Sequence, residues 1–150
     1  MTARLIHAHK RLWQKHVIAE NKRSIEGLLA TLCETPVYKI MATGDEYVGK
    51  DAVAQFYTTL FEGFPDAKFD LINVFISENG VVEESVLTGT HHGPWMGIPA
   101  TGAHLTLPLT IVFPMHDGEI LGERLYFDFV TLLRGVGKTL ADLPAILANR

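Results

Sequence analysis

Three side chains that could take part in proton transfer lie near the end of a predicted strand, Ile120–Phe127, in the last third of the chain. Because side chains alternate across a sheet, Arg124, Tyr126 and Asp128 share one face. If that face lines an apolar hollow, burial raises the pKa of Asp128 toward a range useful for proton transfer, and a nearby Arg124 opposes the rise. Asp128 could instead cap a helical turn starting at Phe129, which the residues alone favour.

The segment Gly93–Gly102 is a second candidate element, because its ten residues hold three glycines and two prolines. This composition predicts a loop of defined shape. Trp95, Met96 and Ile98 give the loop an apolar inner surface, which suits the mouth of a ligand pocket. The alternative is that these side chains fill the core.

His91, His92 and His104 raise the question of a metal site. Adjacent histidines on an extended chain point to opposite faces, and no Cys partner or Glu-x-x-His spacing supports them, so no metal is expected. Imidazole titrates near neutrality, which makes His91 a candidate for proton transfer, and His104 is included among the candidate substrate contacts. No phosphate-binding loop or dinucleotide motif is present, and no cofactor is expected.

Composition narrows the class of protein further. The 150 residues are 47% hydrophobic and 20% charged, with a net charge of −4 and no basic block suited to nucleic acid. No apolar run is long enough to span a membrane, and the polar N-terminus does not resemble a secretory signal. Cys33 is the lone cysteine, which fits a reducing compartment. We therefore expect a cytoplasmic protein.

Helical periodicity comes first along the chain and strand patterns follow. Apolar residues predict helices from the N-terminus to Pro36, with Cys33 on the second, and another helix after Gly49 that buries Phe56 and Tyr57. From Lys68 onward, hairpin turns separate segments rich in strand formers. This order predicts an α+β fold in which helices cover a curved antiparallel sheet around an apolar pocket lined by Phe56 and Tyr57.

Several of these motifs resemble the SnoaL-like polyketide cyclase family, within the nuclear-transport-factor-two-like superfamily. The most specific is Gly89-Thr90-His91, which continues through Gly97-Ile98-Pro99 to Thr101-Gly102. Weaker matches are Gly49–Val53, Phe64-Pro65-Asp66, Asp117–Ile120 and Phe127-Asp128. The resemblance covers roughly residues 10–137, so residues 1–150 are interpreted as a single SnoaL-like domain.

The resemblance implies a cone of antiparallel strands with helical cover, commonly a homodimer, and cofactor-free aldol cyclisation of polyketide esters. A pocket aspartate that moves the proton matches Asp128 by position, with Tyr126, Arg124 or a loop histidine as hydrogen-bond donors. The sequence departs from the family at Arg124, where a tryptophan is usual, and at Glu123. The family's pocket histidine has no counterpart in Leu107–Ile111.

Three functions remain open from the sequence. The first is acid–base chemistry, cyclisation or isomerisation, on an apolar carbonyl or polyketide-like compound with Asp128 as proton carrier. The second is hydrolysis similar to that of limonene-epoxide hydrolases, to which Arg124 and Asp128 would supply two of three groups. The third is non-catalytic binding of a small apolar ligand. None of them involves nucleic acid or a membrane.

Overall fold

The computed structural model describes residues 2–150. The elements in chain order are α1 (Thr2–Asn21), α2 (Ile25–Leu29), β1 (Leu32–Ile40), β2 (Asp45–Val48), α3 (Lys50–Gly63), β3 (Lys68–Ser77), β4 (Gly80–Thr90), β5 (His104–His116), β6 (Glu119–Tyr126), α4 (Phe129–Gly135), a 3-10 turn (Leu140–Asp142) and α5 (Leu143–Ala148). No helix in this range is both long and apolar enough to cross a membrane.

Within residues 2–150 the strands form one six-stranded sheet in the order β2-β1-β6-β5-β4-β3. The predicted α+β class is confirmed, with the N-terminal helices packed on the sheet. Neighbouring strands run antiparallel except for β1 and β6, which are parallel. The expected purely antiparallel sheet is therefore wrong at this pair.

The prediction of a helix reaching Pro36 is also wrong, because the helix stops at Leu29 and β1 begins at Leu32. Cys33 consequently lies on a strand. The sheet tolerates Pro36 because the β1–β6 register shifts between Leu32 and Val37, and a bulge needs no ladder donor at that point. Tertiary pairing thus overrides an apolar pattern that also fits a helix.

Gly122 allows β1 and β6 to approach each other. It pairs with Val37, its φ is +142°, and a Cβ at this position would collide with the Val37 carbonyl. A residue with a side chain would be both strained and obstructed there.

Helix α1 turns one stripe of side chains into the core. His9, Trp13, His16 and Glu20 recur at intervals of four, three and four residues, so they lie on one face. All four are buried, and the helix packs on β3, β4 and β6. Three of these four residues are polar, which brings ionisable groups under the sheet.

His9 joins two hairpin turns. Its Nδ1 lies 3.2 Å from the Ser77 carbonyl at the end of β3, and its Nε2 accepts a hydrogen bond of 3.3 Å from the Gly118 amide. Since Nε2 accepts, Nδ1 carries the proton and donates to Ser77. The neutral imidazole therefore bridges the β3–β4 and β5–β6 turns from a fully buried position.

Replacing His9 with alanine should lower the free energy of unfolding by about 1–3 kcal/mol, because it removes both hydrogen bonds to the turns and the packing of a buried side chain. Urea denaturation at neutral pH measures the change. His7→Ala, on the exposed side of the same helix, is the matched control and should change little. Equal stability of the two variants would contradict the bridging role of His9.

Candidate functional site

The concave side of the sheet encloses a small internal cavity of about 20 Å³, room for roughly one water molecule. Its wall is apolar apart from the carboxyl groups of Glu20 and Glu123. The apolar lining residues are Ile40, Phe56, Leu60, Phe69, Leu87, Trp95, Leu107, Leu109, Leu125 and Phe127.

A larger groove of about 590 Å³ opens to solvent beside this cavity. The cavity and the groove share three lining side chains, Ile40, Phe56 and Trp95, which separate one space from the other. The remaining groove residues are Asp45, Glu46, Tyr47, Thr59, Met96, Gly97, Leu147 and Arg150. This volume is in the range of small-molecule sites.

A buried hydrogen bond between helix α1 and strand β6 lies at the cavity wall. His16 Nε2 is 2.9 Å from Glu123 Oε1, and both side chains are almost fully excluded from solvent. The other imidazole nitrogen, Nδ1, is 2.7 Å from the hydroxyl oxygen of Thr31. That hydroxyl donates to the Leu28 carbonyl at 2.7 Å.

These contacts fix where the protons lie. The Thr31 hydroxyl uses its single hydrogen on Leu28, so it accepts from His16 Nδ1, which is protonated. One further proton must lie between Nε2 and Oε1, because two facing lone pairs would repel at 2.9 Å. The His16–Glu123 pair therefore holds one proton, as imidazolium and carboxylate or as imidazole and carboxylic acid.

Two tyrosines extend this network. Tyr57 donates to Glu123 Oε1 at 3.4 Å and lies 3.3 Å from His16 Nε2, and the Tyr38 hydroxyl is 2.6 Å from that of Tyr57. Since Tyr57 gives its proton to Glu123, Tyr38 donates to Tyr57. Burial first, and then the charge of Glu123, raises the pKa of both phenols well above the ordinary value.

Two further carboxyl groups are buried near Glu123. Burial raises the pKa of Glu20 well above its ordinary value, and the charges of Glu123 and then Glu83 raise it further. Burial also raises the pKa of Glu83 to about 7; Glu123 adds to this shift, and a hydrogen bond from Ser85 opposes it. The site therefore combines one carboxyl group that holds its proton, Glu20, with one that titrates near neutral pH, Glu83, and one that shares a proton with histidine, Glu123.

His16, Glu20 and Glu123 each bring one ligand-type atom within 4.8 Å of the others, the one such group in the described part of the chain. Within it, His16 Nε2 contacts Glu123 directly and Nδ1 is used by Thr31. We therefore interpret these groups as an acid–base cluster in which His16 and Glu123 bind each other and Glu20 lies close by. His91, His92 and His104 do not form a comparable set within residues 2–150.

The structure corrects the prediction that Asp128 faces an apolar hollow. Asp128 is exposed and is the N-cap of α4, accepting hydrogen bonds from the Val130 amide at 3.2 Å and the Thr131 hydroxyl at 2.7 Å. The Thr131 hydrogen bond is the main cause that lowers the pKa of Asp128. It is therefore a charged, solvated cap, as the alternative interpretation held.

Tyr126 and Arg124 share the outward face of β6 with Asp128. Tyr126 is 42% exposed, and Arg124 lies beside Phe75 and Val112 in a shallow depression on the outer side of the sheet. The inward face of β6 instead carries Glu123 and Leu125. The epoxide-hydrolase interpretation requires Arg124 and Asp128 to lie together in a cavity. Because both residues lie on the outer side, the structure does not support that interpretation.

The family-like motifs around residues 64 and 90 meet in space and anchor the loop before β5. Asp66 accepts hydrogen bonds from the Thr90 amide at 2.7 Å and from its hydroxyl at 2.8 Å. The Phe64 ring stacks on that of His91 with centroids 5.1 Å apart, and His91 Nδ1 lies 3.0 Å from the Thr101 hydroxyl. These contacts hold the loop that carries Trp95 at the cavity.

The other predicted site residues divide into two groups. Phe56 and Trp95 line both spaces, Met96 lines the groove, and Tyr57 belongs to the hydrogen-bonded cluster. His91 and Ile98 are fully buried beneath the loop, and His104 is exposed at the start of β5; none of these three lines the cavity or the groove. Burial lowers the pKa of His91, which keeps its ring neutral.

Sequence reasoning missed His16, Glu20 and Glu123, although a signal for them exists. Glu123 alternates with Leu125 and Phe127, and both of these apolar residues line the cavity. His16 and Glu20 likewise lie on the stripe of α1 that holds Trp13. An ionisable residue on an otherwise apolar face indicates a buried polar site.

The fold and the family are established by comparison with known proteins. The family model for SnoaL-like polyketide cyclases matches residues 5–136, and the chain belongs to this family. A search of curated proteins finds no match.

Solved structures confirm the architecture. A proposed SnoaL-like polyketide cyclase from Jannaschia sp. CCS1 superposes with a TM-score of 0.75 at 22% identity, covering 91% of this chain and 93% of that one. A proposed polyketide cyclase from Xanthomonas campestris pv. campestris gives 0.78 at 24%, covering 88% and 98%. AclR of Streptomyces galilaeus, a proposed hydroxylase, gives 0.74 at 21%, covering 88% and 97%. These structures are named after different reactions, so the shared fold does not determine the reaction. The residues of the site must determine it.

Stability should depend on pH through Glu83. The unfolded glutamate titrates near 4.5 and the folded one near 7, so the folded protein retains a proton that the unfolded chain releases. The free energy of unfolding should therefore fall as the pH rises from about 4.5 to above 7, by about 3 kcal/mol from this group. Glu83→Gln should remove that part of the decrease in urea denaturation.

Glu84→Gln is the matched control, since the neighbouring side chain is exposed. Glu20 acts in the same direction as Glu83, so some pH dependence should remain in the Glu83 variant. A Glu83→Gln protein with the same pH dependence as the wild type would show that Glu83 is ionised throughout this range.

Proposed function

We propose that this SnoaL-like protein catalyses proton transfer on a small apolar carbonyl compound, with Glu123 taking and returning the proton. The observation that carries the proposal is the His16–Glu123 hydrogen bond of 2.9 Å, fully buried at the wall of an apolar cavity. Buried ionisable groups that share a proton beside a cavity are typical of acid–base sites.

Glu123 has the contacts that such a base needs. In the imidazolium–carboxylate form, His16 and Tyr57 both donate to Oε1 and fix the orientation of the carboxylate. Thr31 in turn holds the imidazole through Nδ1. A base positioned by two layers of hydrogen bonds loses little freedom when it reacts.

The chemistry follows from this arrangement. Glu123 accepts a proton from the carbon next to the carbonyl, the C–H electron pair becomes the enolate, and the resulting acid later returns its proton to carbon or to the forming alkoxide. The steps need no redox change. Exclusion of bulk water makes each charge interaction stronger than it would be on the surface.

The groove offers a substrate a route from solvent to the cavity on the side of Trp95. The resting cavity has a volume of only about 20 Å³, so a substrate must displace the side chains of Phe56 and Trp95, which the cavity shares with the groove. Trp95 lies on the anchored loop, so movement of its side chain does not require the loop to unfold.

Glu123→Gln should lower proton-transfer activity by at least about 100-fold, because it removes the base while keeping the shape of the side chain. A suitable probe is 5-nitrobenzisoxazole, an apolar carbon acid whose ring opens when a base removes one proton. The initial rate is measured by absorbance across pH 5–9, in the presence and absence of a chelator. The exposed Glu84→Gln variant is the control and should react like the wild type.

Two results would contradict the assignment of Glu123. One is a Glu123→Gln rate equal to that of the wild type while circular dichroism shows both proteins folded. The other is a wild-type rate no greater than that of free acetate at the same pH. Loss of the rate on chelation, restored by added metal, would identify a metal-dependent reaction instead.

A ligand-binding module without turnover is the second candidate function. The observation that favours it is the contrast between the open groove of about 590 Å³ and the resting cavity of about 20 Å³. Saturable binding of apolar compounds by both wild type and Glu123→Gln, with no rate above free acetate, would support binding over catalysis.

We further propose that the protein is a homodimer formed through the outer face of the sheet. Phe75, Val82 and Val112 face outward in one row across β3, β4 and β5, and Phe75 is 58% exposed. The three side chains line a shallow depression that is open to solvent. An apolar sheet face of this kind is suited to a symmetric contact with a second copy.

Phe75→Glu should convert the dimer to a monomer, because it would bury a charge at the proposed contact. Sedimentation velocity at micromolar concentration measures the change. Ile18→Glu, which changes a similarly exposed residue (55%) on α1, is the control and should remain dimeric. A monomeric wild type at the same concentration would rule out the dimer.

A further inference from the structure

Glu20 is buried and lines the cavity, yet one of its oxygens has no partner. The residue is 3% exposed, and within residues 2–150 no group forms a hydrogen bond with its Oε1. A buried polar atom without a partner normally costs about 1–3 kcal/mol. Such an atom on a cavity wall is available to a ligand.

The surroundings of Glu20 favour its neutral form. The ionisable groups packed around it are His16 on α1, Tyr38 on β1, Tyr57 on α3, Glu83 on β4 and Glu123 on β6. No lysine or arginine is buried in the part of the chain that the structure describes. The one nearby group able to carry a positive charge, His16, already contacts Glu123. Burial and the two carboxylates therefore keep a proton on Glu20.

We propose that Glu20 is a neutral carboxylic acid that donates a hydrogen bond to an oxygen atom of the ligand. The site therefore takes an apolar ring compound with a carbonyl, enolate or phenolate oxygen. This inference rests on the proposed function in that it places the ligand beside Glu123. It adds the chemical group by which the ligand is selected and the residue that contacts it.

The two carboxyl groups then have opposite tasks. When Glu123 takes a proton from carbon, it becomes neutral, and the negative charge appears on the ligand oxygen. The hydrogen bond from Glu20 strengthens as that charge develops, because both groups lie in a dry, low-dielectric cavity. A carboxylic acid kept neutral by burial is a suitable donor for this purpose.

The aromatic residues of the cavity wall also determine which ligands bind. Phe56, Phe69, Trp95 and Phe127 surround the two carboxyl groups with aromatic surface. A flat apolar ring packs against such walls. A ring without an oxygen gains the same packing but leaves Glu20 unpaired, so the oxygen sets the difference in affinity between ligands of equal size.

Three para-substituted rings test the inference: 4-chlorophenol, 4-chlorotoluene, which has no oxygen, and 4-chlorobenzylamine, which is cationic. Wild-type protein should bind 4-chlorophenol at least about tenfold more tightly than 4-chlorotoluene, measured by calorimetry at pH 6, since one hydrogen bond in a dry site is worth about that factor. Glu20→Met, which cannot donate, should reduce the preference to about twofold or less. Glu20→Gln, whose amide can donate, should keep part of it.

The control is Glu84→Gln, which should bind like the wild type because residue 84 is exposed. Three outcomes would overturn the inference: an unchanged preference in Glu20→Met, tightest binding of 4-chlorobenzylamine lost in Glu20→Gln, or no saturable binding of 4-chlorophenol by the wild type. The second would identify Glu20 as an ionised carboxylate that binds cations. Since the readout is affinity, a failure here leaves the kinetic test of Glu123 intact.

Discussion

The hydrogen bond between His16 and Glu123 joins the first helix to the last strand of the sheet, 107 residues apart in sequence, and the chemistry of the interior depends on it. Two ionisable groups buried in an apolar core would each be costly alone. Together they share one proton, while Thr31 binds the second imidazole nitrogen and Tyr57 donates to the carboxyl oxygen that His16 contacts. The pair therefore remains buried with both imidazole nitrogens and one carboxyl oxygen hydrogen-bonded.

The elements around this pair each bring one component. Helix α1 delivers His16 and Glu20 because their spacing places both on its buried stripe. Strand β1, which pairs with β6, supplies Tyr38, and helix α3 supplies Tyr57. The β1–β6 contact itself requires Gly122, since a side chain would block the approach of the strands. The absence of a side chain at Gly122 therefore determines whether β1 and β6 can bring Tyr38 and Glu123 together.

The residues that make the chain recognisable as a SnoaL-like protein differ from those that form the acid–base cluster. Asp66, Thr90 and His91 anchor a loop, and that loop places Trp95 against the cavity. Their contribution is geometric: they shape the entrance. The cluster of His16, Glu20 and Glu123 lies outside those motifs, which fits a fold whose members bear the names of different reactions.

Much of the architecture was predictable from the sequence because it depends on local signals. The apolar period of α1 and α3, the hairpin turns and the order of helices before strands all follow from neighbouring residues, and they led to the α+β class. The glycine- and proline-rich loop was identified for the same reason, as was the capping alternative for Asp128. Strand β1 was missed because its apolar residues also fit a helix, and its pairing with β6 is a long-range contact.

The sequence by itself determined that Arg124 and Tyr126 lie on the opposite face of β6 from Glu123 and Leu125, but it did not determine which face turns inward. The tertiary structure decided that question: helix α1 covers the face that carries Glu123 and Leu125, and Asp128 is left in solvent as a helix cap. The physical reason is that burying Leu125 and Phe127 gains more than burying charged Arg124 and Asp128. Because that face is buried, Glu123 lies in the core, and its hydrogen-bond partners come from residues that are distant in sequence.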